Sequence, residues 1–334
     1  MKNNWIVITS INTPTLAIEK ISELCDGGQW SCVVIGDTKT PSQWAFKNII
    51  FLDIQSQKNI FPKLANILPL NHYSRKNLGY LYAISKGADL ILDTDDDNIP
   101  LDKFGVNIKR EVTGKLVGNS KWINTYKYFT NDAYIWPRGN PLNTIHEIGE
   151  VLNDSVKSIC PIQQFLADGD PDVDAIYRLI FNKKLIFEEN PSVILEKKSH
   201  CSFNSQNTVF FSEVFPLLYL PSFVSFRMTD IWRSFVAQNI LWSLDKRLSF
   251  SSSTVRQDRN DHNLLHDFND EIVGYKNNAE IVNVLERLQL SWNHELDLYS
   301  KVWDSWKILY DNKFIMKEEL ELVDEWLNIF HLNK

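Results

Sequence analysis

Residues 90–98, Leu-Ile-Leu-Asp-Thr-Asp-Asp-Asp-Asn, constrain this chain more than any other stretch, because an apolar run ends abruptly in four carboxylates within five residues. A short continuous apolar run is the pattern of a strand buried on both faces, which needs a covered sheet around it. Its far end must then lie where charge is tolerated. Asp93, Asp95, Asp96 and Asp97 repel one another at neutral pH, so a stable arrangement needs a compensating cation or raised pKa values. Hard oxygen donors suit Mg²⁺ or Mn²⁺, ions that keep open positions for substrate phosphates. A phosphorylated substrate is the expected guest.

The segments before this run repeat its logic. Residues 5–10 read as a buried parallel strand, Thr13-Pro14 as an N-cap followed by proline at the first helical position, and residues 14–24 as the helix. Residues 32–36 and 49–52 are two more short apolar runs, and a helix over 75–86 feeds the strand at 90–92. The alternation predicts an α/β fold, a Rossmann-type open and mostly parallel sheet flanked by helices. Ligands of such sheets bind beyond the carboxyl ends of the strands, and Thr9-Ser10, Gly36-Asp37 and the aspartate run all fall there.

Three motifs compete for the aspartates. A calcium loop starting at Asp93 needs Gly at its sixth position and Glu at its twelfth, where this chain has Asn98 and Phe104. A phosphatase of the haloacid dehalogenase kind uses the first Asp of Asp-x-Asp as nucleophile, on a strand near the start of its domain. Here a nucleotide-domain pattern precedes the strand. That favours the Asp-x-Asp metal site of sugar-nucleotide glycosyltransferases with the A-type (GT-A) fold, with Asp95-Asp96-Asp97 in the role.

A chain of 334 residues, 44% of them hydrophobic, is long enough for one large domain with an appendage. Its net charge of -7 argues against nucleic acid as a partner. Cys25, Cys32, Cys160 and Cys201 show neither metal-site spacing nor a disulfide framework, which suggests a reducing compartment. Met1 to Asn4 run straight into apolar residues without the pattern of a signal peptide, and Glu213, Pro216 and Pro221 interrupt the greasiest stretch, 209–226, before it reaches spanning length. A cytoplasmic protein is expected, with peripheral association at the inner membrane and homo-oligomerisation left open. Between 105 and 165 the pattern loosens, and Pro137 and Pro141 frame a shaped loop around Arg138 and Gly139. One helix is expected after Asp170-Pro171-Asp172, and another from Thr229, its hydroxyl as cap, through Trp242. From about residue 277 amphipathic helices follow, with Ile281, Val284, Leu285, Leu288 and Trp292 on one face and Val323, Trp326, Leu327 and Phe330 on another. The expected division is 1–275 for nucleotide-sugar and acceptor binding and 276–334 for a C-terminal helical subdomain.

Five blocks resemble the STELLO family, whose plant members are Golgi glycosyltransferase-like proteins linked to cellulose synthesis. They are Val33-Val34-Ile35-Gly36-Asp37-Thr38-Lys39-Thr40-Pro41; Tyr73-Ser74-Arg75-Lys76-Asn77-Leu78-Gly79-Tyr80 leading into the aspartates; Trp136-Pro137-Arg138-Gly139; Asp172-Val173-Asp174-Ala175; and Thr229-Asp230-Ile231-Trp232-Arg233. The likeness extends over nearly the whole chain. A second likeness, from Arg75 to the aspartates, is to plant reversibly glycosylated polypeptides, which are nucleotide-sugar mutases. Unlike the plant STELLO proteins, this sequence shows no membrane anchor, in keeping with the cytosolic expectation.

The expected function is metal-dependent transfer of a sugar from a nucleotide sugar, UDP-linked, to a glycan or glycolipid acceptor. The alternatives are a nucleotide-sugar mutase and a noncatalytic scaffold. Mn²⁺ or Mg²⁺ is the expected cofactor, held by Asp95, Asp97 and, from a later polar loop, His262. Asp95 or Asp96 lies near the ribose, and Asp93 is a supporting carboxylate or strand-end cap. Asp37 is placed to accept from uracil or ribose, Lys39 to reach phosphate, and Thr9 and Ser10 to contact the base. Cations at a helix N-terminus oppose the macrodipole, which makes Arg75, with Asn77 beside it, the expected diphosphate clamp. Arg138 is expected at donor or acceptor. If the reaction inverts configuration a carboxylate must take the acceptor proton, with Asp230 the first candidate and Asp174 the second.

Overall fold

The apolar runs at 5–10, 32–36, 49–52 and 90–92 become the parallel half of one large sheet. In the computed structural model, which describes residues 3–181, 183–259, 263–293 and 295–332, these runs are β1 (Asn4–Thr9), β2 (Trp30–Ile35), β3 (Ile49–Leu52) and β4 (Leu90–Thr94). They lie in the order β3-β2-β1-β4, all parallel. Their faces are covered by α1 (Leu16–Asp26), α2 (Ile54–Ile60), α3 (Pro62–Ile67) and α4 (Lys76–Ser85). β4 is buried at every position, as a strand covered on both faces must be.

Beyond β4 the sheet turns mixed. It gains β5 (Asn98–Pro100), β6 (Glu111–Gly118), β7 (Glu150–Ile159), β8 (Ile162–Gly169), β9 (Ser192–Leu195), β10 (Asn207–Phe211) and β11 (Leu248–Gln257). The order continues β4-β10-β8-β11-β9-β6-β7, with β5 pairing β11. β10 runs antiparallel to β4 with Asn207 opposite Thr94, so the residues just before β10 arrive beside the aspartates. β11 runs parallel to β8, which brings residues 170–172 and 257–259 to the same edge. The loosened pattern at 105–165 conceals β6 and β7, a hairpin at the sheet's end. β7 is exposed along its first six positions, the polar pattern of a guarded edge strand.

Two caps differ from expectation. Helix α1 is capped by Thr15, whose extended backbone lets its hydroxyl accept from the Ile18 N–H (3.4 Å), and Thr13-Pro14 lies outside the helix. That hydroxyl also donates to the Asp96 carbonyl at 2.5 Å, so the cap doubles as a tie to the aspartate turn. The helix after Asp172 is α5 (Ala175–Ile180), and α6 runs Thr229–Ser243. Thr229 is already helical (φ -52°, ψ -58°), not in the extended geometry a cap requires, and its buried hydroxyl makes no hydrogen bond.

The C-terminal helices are α7 (Leu264–Ser291), α8 (Leu298–Asp311) and α9 (Lys317–Leu332). The change of character at residue 277 therefore falls inside a continuous α7. Ile281, Val284 and Leu285, and Val323, Trp326 and Leu327, are buried as their spacing implies, while Leu288, Trp292 and Phe330 are half-buried at the margin. One hydrophobic cluster runs from Val7 in β1 through Leu78 and Phe235 to Trp306 and Trp326. Trp326 donates to the Pro216 carbonyl (3.1 Å), and Tyr219 packs against Trp306 (5.5 Å) and Trp326 (5.8 Å). The greasy stretch is thus core from 214 to 222, while Phe226 near its end is exposed. No helix among the described residues is long and apolar enough to cross a membrane.

Candidate active site

The sheet's carboxyl edge opens into a crevice of about 680 Å³. Thr9 and Ser10 stand at the end of β1, Asp37 follows β2, Asp95, Asp96 and Asp97 follow β4, and Arg259 follows β11, all of them on its wall.

The four aspartates separate by partner. Asp93 is completely buried between two cations, Lys76 Nζ at 2.7 Å and Arg233 Nη1 at 3.0 Å, so it holds β4 to α4 and α6 and does not face the crevice. Burial works against the Lys76 charge, yet Asp93 and Asp95 raise the ammonium pKa above its usual range. Asp95 accepts through Oδ1 from the Tyr73 hydroxyl (2.7 Å) and Lys76 (3.0 Å). Asp96 accepts from the Ser10 hydroxyl (2.5 Å) and Asn12 Nδ2 (3.0 Å), which turns it towards the β1 loop. Asp97 accepts from Gln257 Nε2 (3.0 Å) through one oxygen, while its Oδ1 is buried with no partner.

Burial, then the charges of Asp95 and Asp96, push the Asp97 carboxyl up to about 7. Burial also raises Asp95, against the pull of Lys76. Both remedies required by the sequence are therefore present: a cation pair at Asp93 and raised pKa values at Asp95 and Asp97. Among the described residues no three His, Cys, Asp or Glu side chains converge as a metal cage. Mg²⁺ needs no such cage, being held typically by one or two carboxylates plus substrate phosphates. The orphaned Asp97 oxygen and the half-open Asp95, 27% exposed, fit that donor set. His262 lies outside the described residues.

The residues expected at the nucleoside line the crevice. Asp37 accepts from the Thr38 N–H (2.7 Å) and the His72 N–H (3.2 Å) at the crevice wall, and Lys39 is exposed at its rim. Arg75 is a correction. It touches the crevice, but its guanidinium turns inward to Gln57 Oε1 (2.9 and 2.5 Å) and the carbonyls of Leu68 (3.3 Å) and Ala65 (3.5 Å), leaving no fork for a diphosphate. Asn77 is another, clipped to the Leu220 backbone at both ends of its amide (2.8 and 2.9 Å) and fully buried. The apolar face of α4 turns both towards the protein and leaves Lys76 to reach the aspartates.

The opposite wall is arginine-rich. Arg138 forks onto Asp172 (2.8 and 2.7 Å) and onto Asp230 (3.1 and 2.9 Å), and donates to the Arg227 carbonyl. Burial would raise the Asp172 carboxyl, but the charge and hydrogen bonds of Arg138 hold it down to about 2. Asp230 lines the crevice and also accepts from the Ser205 N–H (3.2 Å). Asp174 does not line it: it caps α5 through the Tyr177 N–H (2.8 Å) and accepts from Trp136 Nε1 (2.5 Å), and burial pushes its carboxyl up to about 7. As a base for an acceptor hydroxyl it is a correction, since no substrate in the crevice meets it. Burial, then the charges of Arg178 and Arg227, bring Arg259 down to about 9. Sequence reasoning passed over Lys76, Arg227, Arg233, Gln257 and Arg259. Arg233 and Lys76 stand inside blocks already singled out, and Gln257 and Arg259 lie in the polar segment read only for His262.

A family model described as STELLO glycosyltransferases matches residues 227–332, which carry Arg227, Asp230 and Arg233. Two Arabidopsis thaliana proteins, described as probable glycosyltransferases STELLO2 and STELLO1, are each 28% identical to the chain over 347 aligned residues, covering 97% of it. The chain spans 44% of the length of these curated relatives. A mycobacterial protein of known crystal structure superposes with a TM-score of 0.41 and 11% identity, over 88% of this chain and 76% of that one, a likeness too distant to argue from. With the family model lying on α6 to α9 and the alignments covering 97% of the chain, the chain is similar to STELLO glycosyltransferases over nearly its whole length.

Proposed function

We propose that the crevice transfers a sugar from a nucleotide sugar, UDP-linked, to a hydroxyl of a glycan or glycolipid, with Mn²⁺ or Mg²⁺ at Asp95 and Asp97. The observation that carries the reading is the buried, partnerless Asp97 oxygen beside Asp95, at the carboxyl end of a central parallel strand. When bound, the ion acts as a Lewis acid on the departing diphosphate. Tyr73 and Lys76 fix the rotamer of Asp95, and Gln257 that of Asp97. Asp37 and the Ser10–Asp96 pair form the edge that takes the nucleoside, and Lys39 reaches the phosphates from the rim. Asp230 is the acceptor-side carboxylate, held in place by Arg138; to receive a proton it must exchange one of those donors for the substrate hydroxyl.

The test is calorimetry and thermal shift with UDP and UDP-sugars, with and without Mn²⁺. A ligand that binds only the folded state raises the apparent midpoint. The expected result is a nucleotide-dependent rise that needs Mn²⁺ and is absent in Asp97→Asn. If, with Mn²⁺ present, none of the nucleotides shifts the midpoint of the native protein, the reading fails.

A further inference from the structure

Past the aspartates, on the side away from Asp37, the crevice wall carries three guanidinium groups, Arg138, Arg227 and Arg259. Arg138 is engaged by Asp172 and Asp230. The other two are held from behind, and in front, among the described residues, Arg227 has only Asp172, at 4.0 Å, within ion-pair reach. Arg227 donates to Glu271 Oε1 through Nε (2.9 Å), and its Nη2, in charge contact with the same oxygen (2.8 Å), is buried without a hydrogen-bond partner. Arg259 meets Asp267 through Nη2 (3.3 Å), and its Nε is buried without a partner. Their side chains are only 10% and 11% exposed. Glu271 and Asp267 both stand on α7, and neither lines the crevice. They orient the guanidinium groups without filling the space in front of them. Two crowded, largely buried cations with open donors call for an anion, and the planar fork of arginine suits phosphate or carboxylate.

Position along the sheet indicates which part of a substrate this anion belongs to. The order β2-β1-β4 puts Asp37 and Ser10 on one side of the aspartates. Arg259, beyond β11, and Arg227, one residue before the last of the 3₁₀ turn leading into α6, lie on the other. An anion against them sits across the metal pair from the nucleoside, where the acceptor enters.

We propose that Arg227 and Arg259 form an oxyanion site for the acceptor, which carries a phosphate or carboxylate near the hydroxyl that is glycosylated. The word acceptor rests on the glycosyl-transfer reading; the oxyanion site does not. Titration calorimetry of the full chain with inorganic phosphate, and separately with glucuronate, is run with and without saturating UDP and Mg²⁺. At least one anion is expected to bind alongside UDP and Mg²⁺. Arg259→Gln and Arg227→Gln should each weaken it about ten-fold or more, and the charge-keeping Arg259→Lys should weaken it less. Tighter phosphate identifies a phosphorylated acceptor, and tighter glucuronate a carboxylated one. Failure of both anions to bind the native protein overturns the proposal, with no variant needed. So does one-for-one displacement of the anion by UDP, which would give the arginines to the donor's diphosphate. Anion binding that is lost in the variants, with no binding of UDP at all, keeps the oxyanion site and removes the glycosyl-transfer reading.

Discussion

Asp97 holds two opposed demands in one side chain: it is buried where a carboxylate is unwelcome, and it faces a crevice where an ion can relieve it. Its folded-state pKa of about 7 stands above the ordinary value of 3.8. Between those values the folded protein retains a proton that the unfolded chain releases, so stability falls with rising pH. The contribution is complete below about pH 4, its unfolded value, and lost as pH rises through about 7. A divalent ion binds only the deprotonated form, so its stabilisation grows over the same range. The Mn²⁺-induced rise in melting midpoint should therefore be larger at pH 8 than at pH 6, and a rise independent of pH would contradict the assignment. Asp97→Asn should make the metal-free protein more stable at pH 8, by on the order of 1–3 kcal/mol in denaturant unfolding, because it removes an uncompensated buried charge. The same substitution should abolish the response to Mn²⁺.

At the scale of elements, β4 is tied to its neighbours by charge as well as by packing. Lys76 on α4 and Arg233 on α6 meet on Asp93, all three at most 1% exposed, and Arg233 also lies over the rings of Phe203 (5.7 Å) and Phe210 (5.1 Å). Breaking a buried pair from one side costs more than the pair contributes, because the remaining charge has no partner. Arg233→Met should cost about 3–5 kcal/mol in urea unfolding, and adding Asp93→Asn should restore a substantial part of it. A single-variant loss below about 1 kcal/mol would show that Lys76 alone suffices for Asp93. Both helices on this strand, α4 and α6, were expected from the sequence. Their charged contacts were not: Asp93 and Arg233 are 140 positions apart, and only the docking of α6 brings them together.

For the whole molecule, the C-terminal helices belong to the same core as the sheet. Val302, Trp306, Leu309 and Trp326 are at most 1% exposed within the cluster that also contains Val7 and Leu78. Glu319, fully buried on α9, accepts from the Tyr219 hydroxyl and from the N–H groups of Ser222 (3.0 Å) and Phe223 (2.6 Å). That same segment is clipped by Asn77 and Ser74 and leads to Phe226 and Arg227 in the crevice wall. A chain ending at residue 296 would leave those donors unpaired and a wide apolar face open. It should bind a hydrophobic dye and lose the single cooperative unfolding transition expected of the full chain; a truncated chain with the full melting midpoint would disprove this coupling.

What the sequence by itself determined is whatever depends on near neighbours. Four apolar runs made four parallel strands, helical spacing put Trp326 and Ile281 inside, and the crowding of Asp95 and Asp97 after a buried strand required a cation or raised pKa values. Tertiary structure decided which charges answer which. Arg75 and Lys76 are adjacent and equally cationic, yet the turn into α4 sends one to Gln57 and the other to the aspartates. Asp174 and Asp230 looked like alternative bases until one proved to be the cap of a helix and the other the partner of Arg138. Arg259 acquires its place only because β11 pairs with β8. Periodicity is a property of a short segment, whereas the partner of a buried charge is set by strand order and helix docking, across separations at which no local pattern persists.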